Sequence, residues 1–320
     1  MSSKYILGID TSNYTTSAAL YELETGKLLH RRMLLPVAHG AKGLRQSDAV
    51  FHHTQQLHKV MAQLSTALGE KPDIAAVAVS ARPREQEGSY MPCFTVGMNT
   101  AYSIGSLLHV PVYEFSHQSG HIAAAVYSSG HKELFEKEFI AFHVSGGTTE
   151  AVFVKPDKDR IFNAEIVGKT LDLHAGQAID RVGVSMGLKF PCGIELEKLA
   201  LACDKKIKVK TCVKGSDCCL SGIENICAKM AENNTDKSEI ALTCLMFVEK
   251  TLEKMCENIL QKYGDIPVIF AGGVMSDSII RDALYKRFGC LFASAELSSD
   301  NAAGTAVLGA AAFASLTQSN

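Results

Sequence analysis

The stretch FIAFHVSGGTT, at positions 139–149, decides how the rest of the chain is read. An apolar run breaks at Ser145, Gly146, Gly147 and Thr148, and an alternating run, EAVFVKP, follows at 150–156. A buried-type strand, a polar turn and a half-buried strand are the elements that this pattern predicts. The same grammar stands near the start as YILGIDTSNYTTSAALYEL, at 5–23. The chain therefore reads as a tandem duplication in which each half presents a turn rich in N–H and O–H groups. Two such turns facing each other across a cleft would hold a phosphate chain from both sides, which points towards nucleotide chemistry.

The 320 residues are enough for two domains of ordinary size, each with its own core. Hydrophobic residues make up 47% and charged residues 21%, the balance of a soluble globular protein, and no apolar run reaches the length of a membrane span. The N-terminus runs straight into a strand pattern without a signal-type block, so a cytoplasmic location is the expectation. Ten cysteines are scattered among apolar positions without CxxC spacing, which favours buried reduced thiols over disulfides or a zinc site. A net charge of −2 gives no overall basic field. If RNA is a substrate, a local patch or a partner must supply most of the phosphate binding.

Turn-bounded apolar runs place strands at about 5–10, 16–23, 27–35, 74–81 and 110–115, with helices at about 49–68, 95–109 and 117–129. The second half repeats the order with strands at about 139–144, 150–155 and 161–167. A helical insertion over about 174–262, turning near Pro191 and Gly215, precedes strand PVIFAGG at 267–273. A helix over 277–288, a strand CLFASAEL and an Ala-rich helix from about 300 complete it. The expected domains are an N-terminal lobe over 1–133 and a C-terminal lobe over 134–320.

His117 and His121, four apart in HQSGH, share one helix face, a spacing that can bind one metal ion but taken alone is more often that of a helix cap or surface histidines. Gln118 follows the first histidine, so the carboxylate base of a metalloprotease is missing. A third ligand would be Asp300 in SSDNAAGTA, which otherwise reads as the N-cap of the last helix. Two imidazoles and one carboxylate leave positions open, as catalytic sites do. Asp10, at the end of the first strand, either orients a metal-bound water or substrate hydroxyl or caps its turn. In AGGVMSD, Gly272 and Gly273 allow close backbone approach to a flat ligand beside a helix N-terminus. Asp180 is placed to accept from ribose hydroxyls or to pair with Arg181.

These blocks together resemble the threonylcarbamoyl transferases of the TsaD type, which modify the adenosine next to the tRNA anticodon and were formerly labelled endopeptidases. The resemblance rests on GIDTS, the HxxxH pair, VSGGTTE, GKTLDLHAGQAIDRVGVSMGL, FPCG with LEKLA, LSG at 220–222, AGGV and SSDNAA, in the family's order. It implies an α/β fold of the duplicated actin, sugar-kinase and heat-shock-ATPase (ribonuclease H-like) kind, with two lobes around a nucleotide cleft. It further implies one divalent metal, with Fe, Zn and Mg all open, on His117, His121 and Asp300. His143, Val144, Ser145, Gly146 and Gly147 would lie at the phosphates, Asp180 and Gly193 at the ribose, and Asp277 near the adenine. The implied donor is threonylcarbamoyl adenylate, the acceptor tRNA, the released nucleotide AMP, and the partner a related TsaB-like subunit.

The chain departs from the family pattern where Thr148 replaces a His, Glu224 a Lys and Asp277 an Asn. Each change removes positive charge or adds negative charge near the expected phosphates and base. Arg82 and Arg84, in SARPREQEGSYMPCF, are candidates to bind an anionic group, against a solvated loop. Besides threonylcarbamoyl transfer to tRNA, transfer to another acceptor and a nucleotide-binding paralogue without turnover stay open.

Overall fold

The computed structural model describes residues 3–12, 14–36, 44–158, 160–294, 296–297 and 301–318. The chain divides into two compact units, one formed by 1–135, 156–163 and 296–320 and the other by 136–155 and 164–295.

The first sheet comprises β1 (Lys4–Ser12), β2 (Thr15–Glu22) and β3 (Leu28–Leu34), followed by helix α1 (Gln46–Leu68), β4 (Asp73–Arg82), α2 (Phe94–Leu108), β5 (Val112–Ser116) and α3 (His117–Ser129). Its strand order is β3-β2-β1-β4-β5, with β1 antiparallel to β2 and parallel to β4. Every residue of β1 after Lys4 is buried, as a central strand covered on both faces requires. One face packs on α1, whose buried Ala49, His53, Leu57, Val60 and Leu64 recur at helical spacing. The N-terminus of α3 is capped by Ser116, whose hydroxyl accepts from Ser119 N at 3.1 Å.

In the second unit, β6 (Phe139–Val144), β7 (Thr149–Asp157) and β8 (Ile161–Lys169) lead to α4 (Ala175–Ser185) and α5 (Gly193–Leu201). A hairpin of β9 (Cys212–Lys214) and β10 (Asp217–Cys219) then interrupts the helices. It is followed by α6 (Gly222–Glu232), α7 (Lys237–Tyr263), β11 (Val268–Ala271), α8 (Ser278–Phe288) and β12 (Leu291–Phe292), after which α9 (Asn301–Gln318) belongs to the first unit again. The second sheet runs β12-β11-β6-β7-β8. Read from its other edge, this order repeats that of the first sheet, and β6 again pairs antiparallel to its following strand and parallel to β11. Topology thus carries the duplication expected from the two strand-turn-strand blocks.

The core of the second unit gathers Phe142, Phe270, Leu245, Val248 and Leu252, all nearly inaccessible. Phe142 and Phe270 stack with centroids 4.5 Å apart across neighbouring strands. In the first unit the Ala- and Gly-rich α9 lies so close to α3 that a Cβ on Gly304 would strike the Gly120 carbonyl. Only residues without bulk permit that approach.

Two elements differ from expectation. The insertion is not helical throughout, because Gly215, with φ of 60°, and Ser216 form a two-residue turn that closes β9 on β10. Among the described residues of CLFASAEL two form a strand, after which Ala293 N still donates to Phe270 O at 2.9 Å.

Candidate functional site

In the second unit a cavity of about 320 Å3 is lined by Gly146, Gly176, Ile179, Asp180, Pro191, Gly193, Ile194, Glu197, Gly273, Val274, Ser276 and Asp277. Its walls come from the turn after β6, the helices α4 and α5, and the segment between β11 and α8. Gly146, Gly193 and Gly273 have ordinary φ values, and a Cβ built on any of them meets no atom within 4 Å. Neither backbone strain nor packing asks for glycine there. Their missing side chains keep the cavity open, as close approach of a ligand to backbone demands.

Gly176 and Gly272 have a different reason. A Cβ on Gly176 would lie 2.7 Å from Gly146 N and 2.9 Å from the carbonyl carbon of Ser145. Gly272, with φ of 105°, would strike the carbonyl oxygen of Val144. Both bring backbone against the turn and fix it. Ser145 closes that turn itself, its amide donating to Thr148 O at 2.7 Å and its hydroxyl accepting from Gly147 N at 3.3 Å and Thr148 N at 3.1 Å.

Asp180 accepts from Cys192 N at 2.7 Å, which ties α4 to the start of α5. The alternative ion pair with Arg181 is not formed: Arg181 instead pairs with Glu224 at 3.0 Å. Asp277 caps α8, accepting from Ile280 N at 3.0 Å. It is 8% exposed, and burial, with the charge of Glu197 adding to it, pushes its carboxyl up to about 6. Glu197 accepts from the Ser278 amide at 2.7 Å and its hydroxyl at 2.5 Å, so it fastens α5 to the start of α8.

A second cluster lies in the first unit. His117 Nδ1 is 3.0 Å from Asp10 Oδ2, and the His117 and His121 rings lie 4.8 Å apart, edge to face. Asp10 is 1% exposed and also accepts from Ser12 N at 2.9 Å. Burial works to raise its pKa, but the His117 charge and hydrogen bond, with those of Ser12 and Ser80, outweigh it and hold the carboxyl below the usual value. A carboxylate on Nδ1 is the arrangement that orients a histidine to bind metal through Nε2, so these residues fit a cation. Among the described residues no group of three or more His, Cys, Asp or Glu is assembled for a metal, and Asp300 lies outside the described residues.

The cavity thus brings together Gly146, Asp180, Gly193 and Asp277. His143, Val144, Ser145 and Gly147 do not line it, and Val144 is buried in the core beneath the turn. Arg82 does not offer its charge to an anion, because Glu85 Oε2 binds its Nη2 at 2.7 Å and its Nε at 3.1 Å. Gly176 and Glu197 had no role on sequence grounds. The signal available was the HAG step before α4 and a glutamate four residues after Gly193, one helical turn on.

The TsaD family profile, described as tRNA N6-adenosine threonylcarbamoyltransferase, matches residues 40–307. A tRNA N6-adenosine threonylcarbamoyltransferase of Bacillus licheniformis is 29% identical, over 97% of this chain and 92% of the relative. One from Bacillus subtilis is 28% identical, over 97% and 90%. Among solved structures, the (R)-2-hydroxyglutaryl-CoA dehydratase component A of Acidaminococcus fermentans aligns with a TM-score of 0.56 at 16% identity, covering 98% of this chain and all of that one. HypF of T. kodakarensis aligns at 0.59 and 11%, covering 99% of this chain and 48% of its own. At those identities the structures speak for the actin-like, sugar-kinase-like α/β fold alone.

Proposed function

We infer, because the chain belongs to the TsaD family of tRNA N6-adenosine threonylcarbamoyltransferases, that it transfers a threonylcarbamoyl group from threonylcarbamoyl adenylate to the adenosine next to the anticodon of tRNA. The observation that carries this reading is the cavity kept open by Gly146, Gly193 and Gly273, with Asp180 and Asp277 on its wall. Its volume of about 320 Å3 lies at the small end of ligand pockets, suited to a nucleoside with part of its phosphate outside.

In this reading the glycine backbone lies along the sugar and phosphate, Asp180 accepts from the ribose, and Asp277 faces the base. His117 and His121 would hold one divalent cation, with Asp300 as the third ligand and Asp10 fixing the His117 ring. When bound, such an ion supplies positive charge to phosphate oxygens of the adenylate. The protein's own work is to hold the donor, keep the imidazole oriented and exclude competing water. Attack by the adenine amine on the carbamoyl carbon then expels AMP, and positioning accounts for most of the acceleration. Iron, zinc and magnesium all suit such a nitrogen and oxygen donor set. A TsaB-like subunit is the partner this reading expects.

Glu224 supports a second reading, transfer to another acceptor. Where relatives resembled on sequence grounds carry Lys, this glutamate is bound to Arg181, so two groups near the α4 surface neutralise each other. Purified protein, a divalent metal, threonylcarbamoyl adenylate, unmodified tRNA and a TsaB-type partner discriminate the two. Threonylcarbamoyladenosine in the digested tRNA supports the first. AMP release that ignores tRNA and follows another amine supports the second.

A further inference from the structure

Between α5 and the β9–β10 hairpin the sequence reads KKIKVKTCVKGS, at 205–216. Exposure alternates from 206 to 214. Lys206, Lys208, Lys210, Cys212 and Lys214 are exposed, while Ile207, Val209, Thr211 and Val213 are half-buried. Val209 and Val213 pack against the core of the second unit. Alternation of period two is that of an extended chain, whose successive same-face residues lie about 6.6 Å apart. The result is a ladder of ammonium groups on one face of a segment glued down by the other.

The ladder stands on a fixed base. Asn258 of α7 donates to Gly215 O at 2.5 Å, Lys169 N donates to Asp217 Oδ1 at 2.9 Å and Leu171 N to Cys218 O at 2.8 Å. Beside it, the Asp172 carboxylate accepts from the Leu220 and Ser221 amides at 2.7 and 3.1 Å. Lys205 is paired with Glu239, but Lys206, Lys208, Lys210 and Lys214 close no ion pair with a described residue. These lysines stand in a chain of net charge −2, so their charge is a local feature of this surface. The segment begins just past α5, whose first turn lines the nucleotide cavity and whose nine residues span about 13 Å.

We propose that Lys206, Lys208, Lys210 and Lys214 form the surface on which the phosphate backbone of the tRNA acceptor is held. The inference rests on the transferase reading above and adds to it the place where the RNA binds. An acidic globule or a membrane fits less well. Evenly spaced ammonium groups match a repeating polyanion, and Val209 and Val213 between them pack on the protein's own core rather than standing free to enter a bilayer.

The test combines Lys206→Gln, Lys208→Gln and Lys210→Gln in the full chain. All three side chains are exposed, so unfolding temperature serves as the control for folding. Affinity for unmodified tRNA is measured across a salt series. Each lost phosphate contact lowers the slope of log K against log salt by about 0.7 to 0.9, so the triple variant is expected to lose about 2 to 3 from the slope and tenfold or more in affinity at physiological salt. Saturating tRNA is also expected to slow alkylation of the exposed Cys212 by iodoacetamide, read by peptide mass. If wild-type protein makes threonylcarbamoyladenosine while the variant keeps its salt slope and Cys212 reacts equally fast with tRNA, the surface is refuted and the transferase reading stands. Tight, salt-dependent tRNA binding without the product refutes the transferase reading and leaves the surface standing. Binding of the lysine ladder to phosphatidylserine vesicles in preference to tRNA overturns the surface as proposed.

Discussion

Replacing Asp277 by asparagine tests the site through stability as well as binding. The carboxyl caps α8 through Ile280 N, and asparagine caps a helix about as well, so the local bond survives. What changes is charge. Asp277 is 8% exposed and burial raises its pKa to about 6, against about 3.9 in an unfolded chain. A rise of about two units corresponds to roughly 3 kcal/mol. Because the folded pKa is the higher, the native state binds the extra proton between about pH 4 and 6, and stability falls as pH rises through that window. Above it the folded protein carries the full cost of a buried carboxylate. Asp277→Asn should therefore be more stable than wild type at pH 7.5 by about 1 to 3 kcal/mol, and about equal at pH 3 or below, under the unfolded pKa. Urea unfolding at both pH values measures the gap directly. An asparagine variant less stable than wild type at pH 7.5, or a gap independent of pH, refutes the reasoning. The same change should tighten AMP several-fold at pH 7.5 by removing a like charge from the cavity wall, and unchanged affinity would take Asp277 out of the pocket.

Other perturbations address separate parts of the account. Gly176→Ala places a Cβ 2.7 Å from Gly146 N; overpacking of this kind costs about 1 to 3 kcal/mol. It should also abolish measurable AMP binding, checked by urea midpoint and titration together. Asp10→Asn keeps the volume but loses the charge that fixes His117, so affinity for a divalent ion should fall about 10- to 100-fold, read by equilibrium dialysis. Asp172 is exposed, and although burial works to raise its pKa, the Ser221 hydroxyl and the Leu220, Leu173 and Ser221 amides lower it. Its stabilising effect is present above the unfolded pKa and lost as pH falls through the lowered folded one. After discounting for solvent, Asp172→Ala should cost about 1 to 2 kcal/mol at pH 7 and progressively less as pH falls through the lowered folded pKa, by thermal unfolding.

Local pattern made the two sheets legible: GIDTS and VSGG each end a mostly apolar run, and the alternation that follows predicts the antiparallel neighbour. The hairpin at 212–219 escaped because its strands, CVK and DCC, are three residues long, too short for a strand pattern to stand out; the Gly215–Ser216 pair marked its turn. CLFASAEL begins with strand formers, and among its described residues Leu291, Phe292 and the Ala293 amide find partners on β11, a matter of tertiary pairing. The candidate site divides in the same way. His117 and His121 are visible as a spacing, whereas the Asp10 bond to His117 joins residues 107 apart in sequence. Glu197 was invisible for the same reason, since its partner Ser278 lies 81 residues on.

Titration of AMP into wild-type protein and Gly193→Leu tests the central claim most directly. Gly193 lines the cavity, has an ordinary φ and has open space where a side chain would start, so leucine there takes up cavity volume. Saturable binding by wild type that vanishes in a normally folded variant is the expected result. Equal binding by both, or none by wild type, contradicts the account.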